Sequence, residues 1–163
     1  LTLNLGYNSS DAAQTLQATL IQEQLSQIGV TVELQGGDST ALFNELRTAG
    51  STAYDLFLGG YIMGNDPDQY TRLFTTGGGS NYFQLSSTEV DDLFAQGAVE
   101  LDQDARDAIY DELQATLADQ AVIYPIVDNN KILAVNNRIA GVEEAGLIPI
   151  YTFEDPSKLT IAE

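Results

Sequence analysis

Strand and helix periods alternate through the first sixty residues, and this alternation limits the fold more than any other feature of the chain. Leu1, Leu3, Leu5 and Tyr7 alternate with Thr2, Asn4 and Gly6, the period of two of a half-buried strand. Ser9, Ser10 and Asp11 then offer N-caps, because a short side-chain oxygen accepts from the free N–H groups of a first helical turn. Leu16, Leu20, Ile21, Leu25 and Ile28 follow at helical spacing, and Gly29 stops the helix. Val30, Val32 and Leu34 restart the alternation, and Gly36-Gly37 turns the chain. Asp38 or Ser39 caps a second helix through Leu42, Phe43 and Leu46, which Gly50 ends, and Tyr54 to Leu58 reads as a buried third strand. A β-α-β-α-β order with helices of this length calls for a parallel or mixed sheet with helices on its faces. The expected fold class is therefore α/β, a mixed sheet flanked by helices.

The stretch GGYIMGNDPDQYTRLF, residues 59–74, follows the third strand. A rigid, polar, aromatic-flanked loop at the end of a strand, leading into a helix near Tyr70 to Phe74, is where α/β proteins usually place ligands. Residues 75–81 read as a Gly-rich turn. Ser87-Thr88-Glu89 opens a helix with Val90, Leu93, Phe94 and Ala98 inward. Asp102 caps the next, which carries Ala105, Ile109, Leu113 and Leu117. Val122 to Val127 reads as a strand placed at an edge by Pro125, Ile132 to Val135 as a short strand, and Ile148 to Phe153 as another. The whole, 1–163, reads as a single α/β lobe. Its N-terminus, Leu1-Thr2-Leu3, reads as a strand beginning inside a domain, so a fragment of a longer protein is expected.

Charge and composition remove several classes of function. The 163 residues carry 24 acidic and 6 basic side chains, a formal charge of -18. Such a surface repels phosphate backbones and anionic lipid heads, so neither nucleic acid nor membrane surface is an expected partner. No apolar run approaches the ~20 residues of a membrane span, so no direct insertion is expected. The chain has no Cys, His or Trp, which excludes Cys nucleophiles, Ser-His-Asp triads and His- or Cys-ligated metals. No cofactor and no metal is called for, and no catalytic residue is assigned.

Five residues are candidates for ligand contact. Tyr61 and Met63 flank the 59–74 loop and offer an adaptable apolar wall, or ordinary core packing. Asp66 offers a polar or cationic anchor; alternatively it turns the chain before Pro67 or caps the helix carrying Tyr70. Asn81 and Tyr82 are the polar handles of the Gly-rich segment, which lacks the Lys-Ser/Thr ending of a phosphate loop. Tyr124, Asp128 and Asn129 stand at a strand end, lining a cleft or simply meeting solvent. Asp55 lies in a strand, where bonding to backbone at the sheet end is the simpler role. Two other classes of function stay open on residue types alone: a carboxylate-dependent extracellular hydrolase using Asp66 and Asp68, and an interaction module using the acidic face.

Four stretches, in order and similarly spaced, give a resemblance. IQEQLSQIGVTVEL (21–34) resembles a helix–LxxIGI–strand unit. Ala53-Tyr54-Asp55-Leu56, Gly60-Tyr61 and Asp66-Pro67-Asp68 resemble an FD-strand, a Trp and a DPD pattern. NYFQLSSTEVDDL (81–93) and RDAIYDELQATLADQAVIYP (106–125) supply the others. Together they resemble the C-terminal lobe of extracytoplasmic solute-binding proteins of the peptide/nickel ABC-transporter family (family 5, oligopeptide- and dipeptide-binding type). The resemblance implies one lobe of a type II periplasmic-binding-protein-like fold, with about 140–163 returning toward the other lobe. It implies capture of an oligopeptide or similar small solute in an interlobe cleft, delivery to an ABC permease, and an extracytoplasmic location as a cell-surface lipoprotein or periplasmic protein. The family's usual Trp is Tyr61 here, and the offset of its ammonium-pairing Asp falls on Gly64.

Overall fold

The computed structural model describes residues 1–61, 64, 66–127, 132–148 and 152–161. Three strands form a parallel sheet in the order β2-β1-β3: β1 (Thr2–Asn8), β2 (Thr31–Gly37) and β3 (Leu56–Phe57). Two helices connect them, α1 (Ala12–Ser26) and α2 (Ser39–Leu46). The β-α-β-α-β order is as expected, and among the described residues this sheet is parallel throughout. β3 is shorter than its sequence suggests, but Asp55 N–H donates to Asn4 C=O and Leu58 N–H to Gly6 C=O, both at 2.9 Å, so 55–58 all run along β1. The Asp55 carboxylate in turn accepts from Asn4 N–H at 2.7 Å, the sheet-end bond its position called for.

Caps set the helix starts. Asp11 accepts from Ala13 and Gln14 N–H, and Asp38 from Thr40 and Ala41 N–H, each satisfying donors that have no partner inside the helix. Gly29, at φ +80°, takes the left-handed conformation that ends the first helical segment. The buried face of α1 differs from the expected one. Leu16, Leu20 and Ile28 are exposed, and Ala18 packs with Leu5, Val32 and Leu58, flanked by Ile21 and Leu25. A small side chain lets the helix approach the sheet closely, and the larger leucines then fall on its outer side.

The second core is helical. A 3₁₀ turn (Pro67–Tyr70) leads into the short α3 (Thr71–Phe74). Next come α4 (Thr88–Val99), capped by Ser87, and α5 (Gln103–Asp119), capped by Asp102. Leu73, Phe74, Val90, Leu93, Phe94, Tyr110 and Leu113 are buried together. Ala98 and Ala105 are exposed rather than inward. Gly97 and Tyr110 make the α4–α5 contact instead: a Cβ at Gly97 would lie 2.6 Å from Tyr110 Cζ, so only glycine admits the ring.

The last forty residues depart most from expectation. Neither Val122–Val127 nor Ile132–Val135 forms a strand where described, and Ile123, Tyr124, Ile126, Val127 and Ile132 are exposed. A strand needs a neighbour for its N–H and C=O groups, and no strand among the described residues pairs with these segments. The strand expected over Ile148 to Phe153 is a hairpin, β5 (Leu147–Ile148) against β6 (Thr152–Phe153). β4 (Ile139–Ala140) pairs with β7 (Thr160–Ile161).

Candidate functional site

The loop after β3 opens onto a wall of aromatic rings. Leu58 is buried in the sheet core, and Gly59-Gly60 carries the chain out to Tyr61. The Tyr61 ring lies nearly parallel to that of Tyr82, with centroids 6.3 Å apart, and tilts against Phe83 at 6.4 Å. Phe83 stacks on Phe74 at 5.4 Å and on Phe57 at 5.6 Å, while Phe43 of α2 meets Tyr82 at 5.0 Å. Strand, helix and loop thus converge on one continuous ring cluster at the C-terminal end of the sheet, and offset or tilted ring pairs of this kind are favourable beyond the area they bury.

Polar groups around the wall are mostly committed to holding its shape. Asn81 donates to the carbonyls of Thr75 and Leu85 at 2.9 and 2.7 Å and accepts from Leu85 N–H at 3.0 Å, which closes the 75–85 loop. Gln84 ties that loop to the turn before β3, accepting from Gly50 N–H at 2.8 Å and donating to Ser51 C=O at 3.0 Å. The Tyr82 hydroxyl accepts from Arg47 Nη2 at 2.8 Å, with the guanidinium carbon 5.2 Å from the ring centroid. The Tyr61 hydroxyl is buried with no partner among the described residues, and that burial, followed by the nearby Tyr82, pushes its pKa up to about 12.

Asp66 does two jobs with one oxygen. Its Oδ1 accepts from Asp68 N–H at 3.0 Å, capping the 3₁₀ turn, and from Arg106 Nη2 at 2.7 Å. The bond from Arg106, then that from the Asp68 backbone, hold its carboxyl below the usual carboxylate range. Asp68 accepts from Thr71 Oγ1 at 3.1 Å. Asp66 is thus occupied as cap and ion pair and Asp68 is bonded to Thr71, so the two carboxylates are engaged locally instead of facing one another as an acid/base couple. No group of three or more metal-ligating side chains occurs among the described residues, and no helix there is long and apolar enough to cross a membrane.

The structure brings Tyr61 and Tyr82 together, places Asn81 behind them as a brace, and sets Asp66 at the edge against α5. Met63 lies outside the described residues, as do Asp128 and Asn129. Tyr124 is exposed. Phe43, Phe57, Phe83 and Arg47 join the ring cluster and Arg106 meets Asp66, contacts that the sequence does not single out. Arg106 had a readable signal: it sits at the start of α5, where a cation opposes the helix dipole, so a carboxylate partner was to be expected. An apolar groove of about 380 Å³ between Leu133, Val135, Ile139, Phe153 and Ile161 shares no residue with the ring cluster.

No family model matches the chain. Among curated proteins, it is 26% identical over 145 residues to the oligopeptide-binding protein OppA of Mycobacterium tuberculosis strain H37Rv, covering 87% of this chain and 24% of the relative. Among solved structures, the ABC transporter substrate binding protein CtaP of Listeria monocytogenes superposes with a TM-score of 0.87 at 38% identity, over 100% of this chain and 33% of that one. AppA of Clostridium difficile superposes with a TM-score of 0.84 at 32% identity, over 99% of this chain and 33% of that one. The chain therefore spans about a quarter of the curated relative and a third of each solved neighbour.

Proposed function

We infer, from a chain that belongs with the solute-binding proteins of the peptide/nickel ABC-transporter family, that it forms much of one lobe of a receptor. That receptor captures an oligopeptide or similar small solute between two lobes and hands it to a membrane permease. It works outside the cytoplasm, at the cell surface or in the periplasm, and no bond of the solute is made or broken. The family's relatives named above support the class. The observation that carries the reading within this chain is the aromatic wall at the sheet's C-terminal end, where open α/β sheets place ligands.

An apolar, aromatic surface suits a ligand of variable side chains, because rings offer contact area without demanding one hydrogen-bond pattern. Tyr61 and Tyr82 are only partly buried, so their rings keep open area for an extended chain to lie against. Closure of the second lobe supplies the rest, so this lobe alone binds weakly. Calorimetric titration of the intact receptor with oligopeptide mixtures tests the reading. Tyr61→Ala and Tyr82→Ala should each weaken binding by about five- to thirty-fold, the effect of removing a buried aromatic contact. Unchanged affinity in both variants contradicts it.

A further inference from the structure

We propose that Arg106 is a positioning residue of the receptor: by holding Asp66, the cap of the 67–70 turn, it fixes that turn, whose Tyr70 packs as Tyr61 does against the helical core, and so steadies the edge of the wall that meets solute. The proposal rests on the receptor reading above.

Two contacts pin the Arg106 side chain before it reaches the loop. Its Nε donates to the Gly97 carbonyl at 3.0 Å, one of the carbonyls that the end of α4 leaves unpaired. Its guanidinium carbon lies 4.8 Å from the centroid of the Tyr110 ring. Its backbone is in α5 and its side chain is only 20% exposed. The remaining Nη2 then meets Asp66 Oδ1 at 2.7 Å. A long side chain normally loses much rotamer freedom to form an ion pair, which is why exposed pairs contribute little. Here α4 and Tyr110 have already ordered the donor, so the pair costs little further freedom. The planar fork is what allows one side chain to serve Gly97 and Asp66 together.

On the loop side, two other polar bonds among the described residues are local. Gly64 N–H donates to Gln69 Oε1 at 2.8 Å, and Thr71 Oγ1 donates to Asp68 C=O at 2.7 Å. Both shape the loop without attaching it to anything outside residues 64–71. The Asp66–Arg106 bond spans forty positions and joins the loop to the α4–α5 pair. Asp66 is thereby bonded to the helical core on which Tyr61 and Tyr70 also pack.

The test is a double-mutant cycle in the intact receptor, read by peptide affinity. Asp66→Asn keeps an acceptor for the Asp68 N–H and removes only the charge. Asp66→Asn and Arg106→Gln should each weaken binding by about ten-fold, within the range for residues that act through a positioned element. The double variant should be no weaker than either single one. Arg106→Lys should recover part of the loss, since it restores the charge but not the bond to Gly97. Additive losses, or singles that bind as the parent does, overturn the proposal. Hydrogen exchange without ligand is the second measurement: Arg106→Gln should speed exchange across 64–71 and leave β1 and β2 unchanged, and unchanged loop exchange overturns it. If the parent receptor binds no peptide, the receptor reading fails and the exchange result alone decides what Arg106 does.

Discussion

Residues 1–122 close two apolar cores, whereas the described residues of 123–161 leave most of their large apolar side chains uncovered. In the first region Leu5 is 1% exposed and Val90 fully buried, and both cores close from contacts within the region. In the second, Tyr124 is 87% and Ile132 91% exposed, although Val122 to Val127 is as strand-like in composition as β1. The lesson concerns partners. β1 lies between two parallel neighbours that pair along it, whereas 123–127 and 132–135 have none among the described residues. β propensity expresses packing against neighbours and says little about a segment without them.

The comparison can be broken most sharply in the core. Leu93→Ala, in the helical cluster, should cost about 2–5 kcal/mol in urea unfolding, the range for a buried leucine truncated to a cavity. A loss near zero would mean that the helical cluster is not a core. Gly97→Ala should cost about 1–3 kcal/mol by driving a methyl into the Tyr110 ring. Asp102→Ala should cost about 1 kcal/mol by removing the cap on Ala105 N–H. In the second region, Ile126→Ser should stay within about 0.5 kcal/mol in this chain, as for exposed positions elsewhere. A large loss there would mean that 123–127 is packed after all.

The smallest effect is in pH. Asp66 has a folded-state pKa held down by Arg106, so its contribution to stability is fully present above the ordinary carboxylate pKa of about 3.9 and is lost as pH falls through the depressed value. Asp66 is exposed enough that the step is slight. Acid titration of stability should therefore fall a little more steeply in the parent than in Asp66→Asn, and superimposable acid limbs would remove the ion pair from the account.

What could be read from the sequence was what short range decides. The caps at Asp11, Asp38, Ser87 and Asp102 bind N–H groups two or three residues on, so the sequence window contains both partners. The β-α-β-α-β succession follows from period alone, whereas the β2-β1-β3 order within the sheet does not. The inward face of α1 did not, because helical spacing allows two neighbouring stripes and the contact with the sheet selects the one centred on Ala18. At the site, Tyr61 and Tyr82 were legible as residues but their stacking was not, since loop closure by Asn81 and Gln84 brings them together. Asp66 was legible as a cap; its second partner, forty positions away, was not.

The central claim is that the ring wall following β3 faces the solute. Photo-crosslinking tests it most directly: a short peptide carrying a benzophenone side chain is bound to the intact receptor, irradiated, and the attachment sites mapped by mass spectrometry. The account predicts attachment within 57–61 and 82–85, lost when excess unlabelled peptide is present. Attachment confined to α1 or to the acidic outer faces of α4 and α5, with the wall unlabelled, would contradict it.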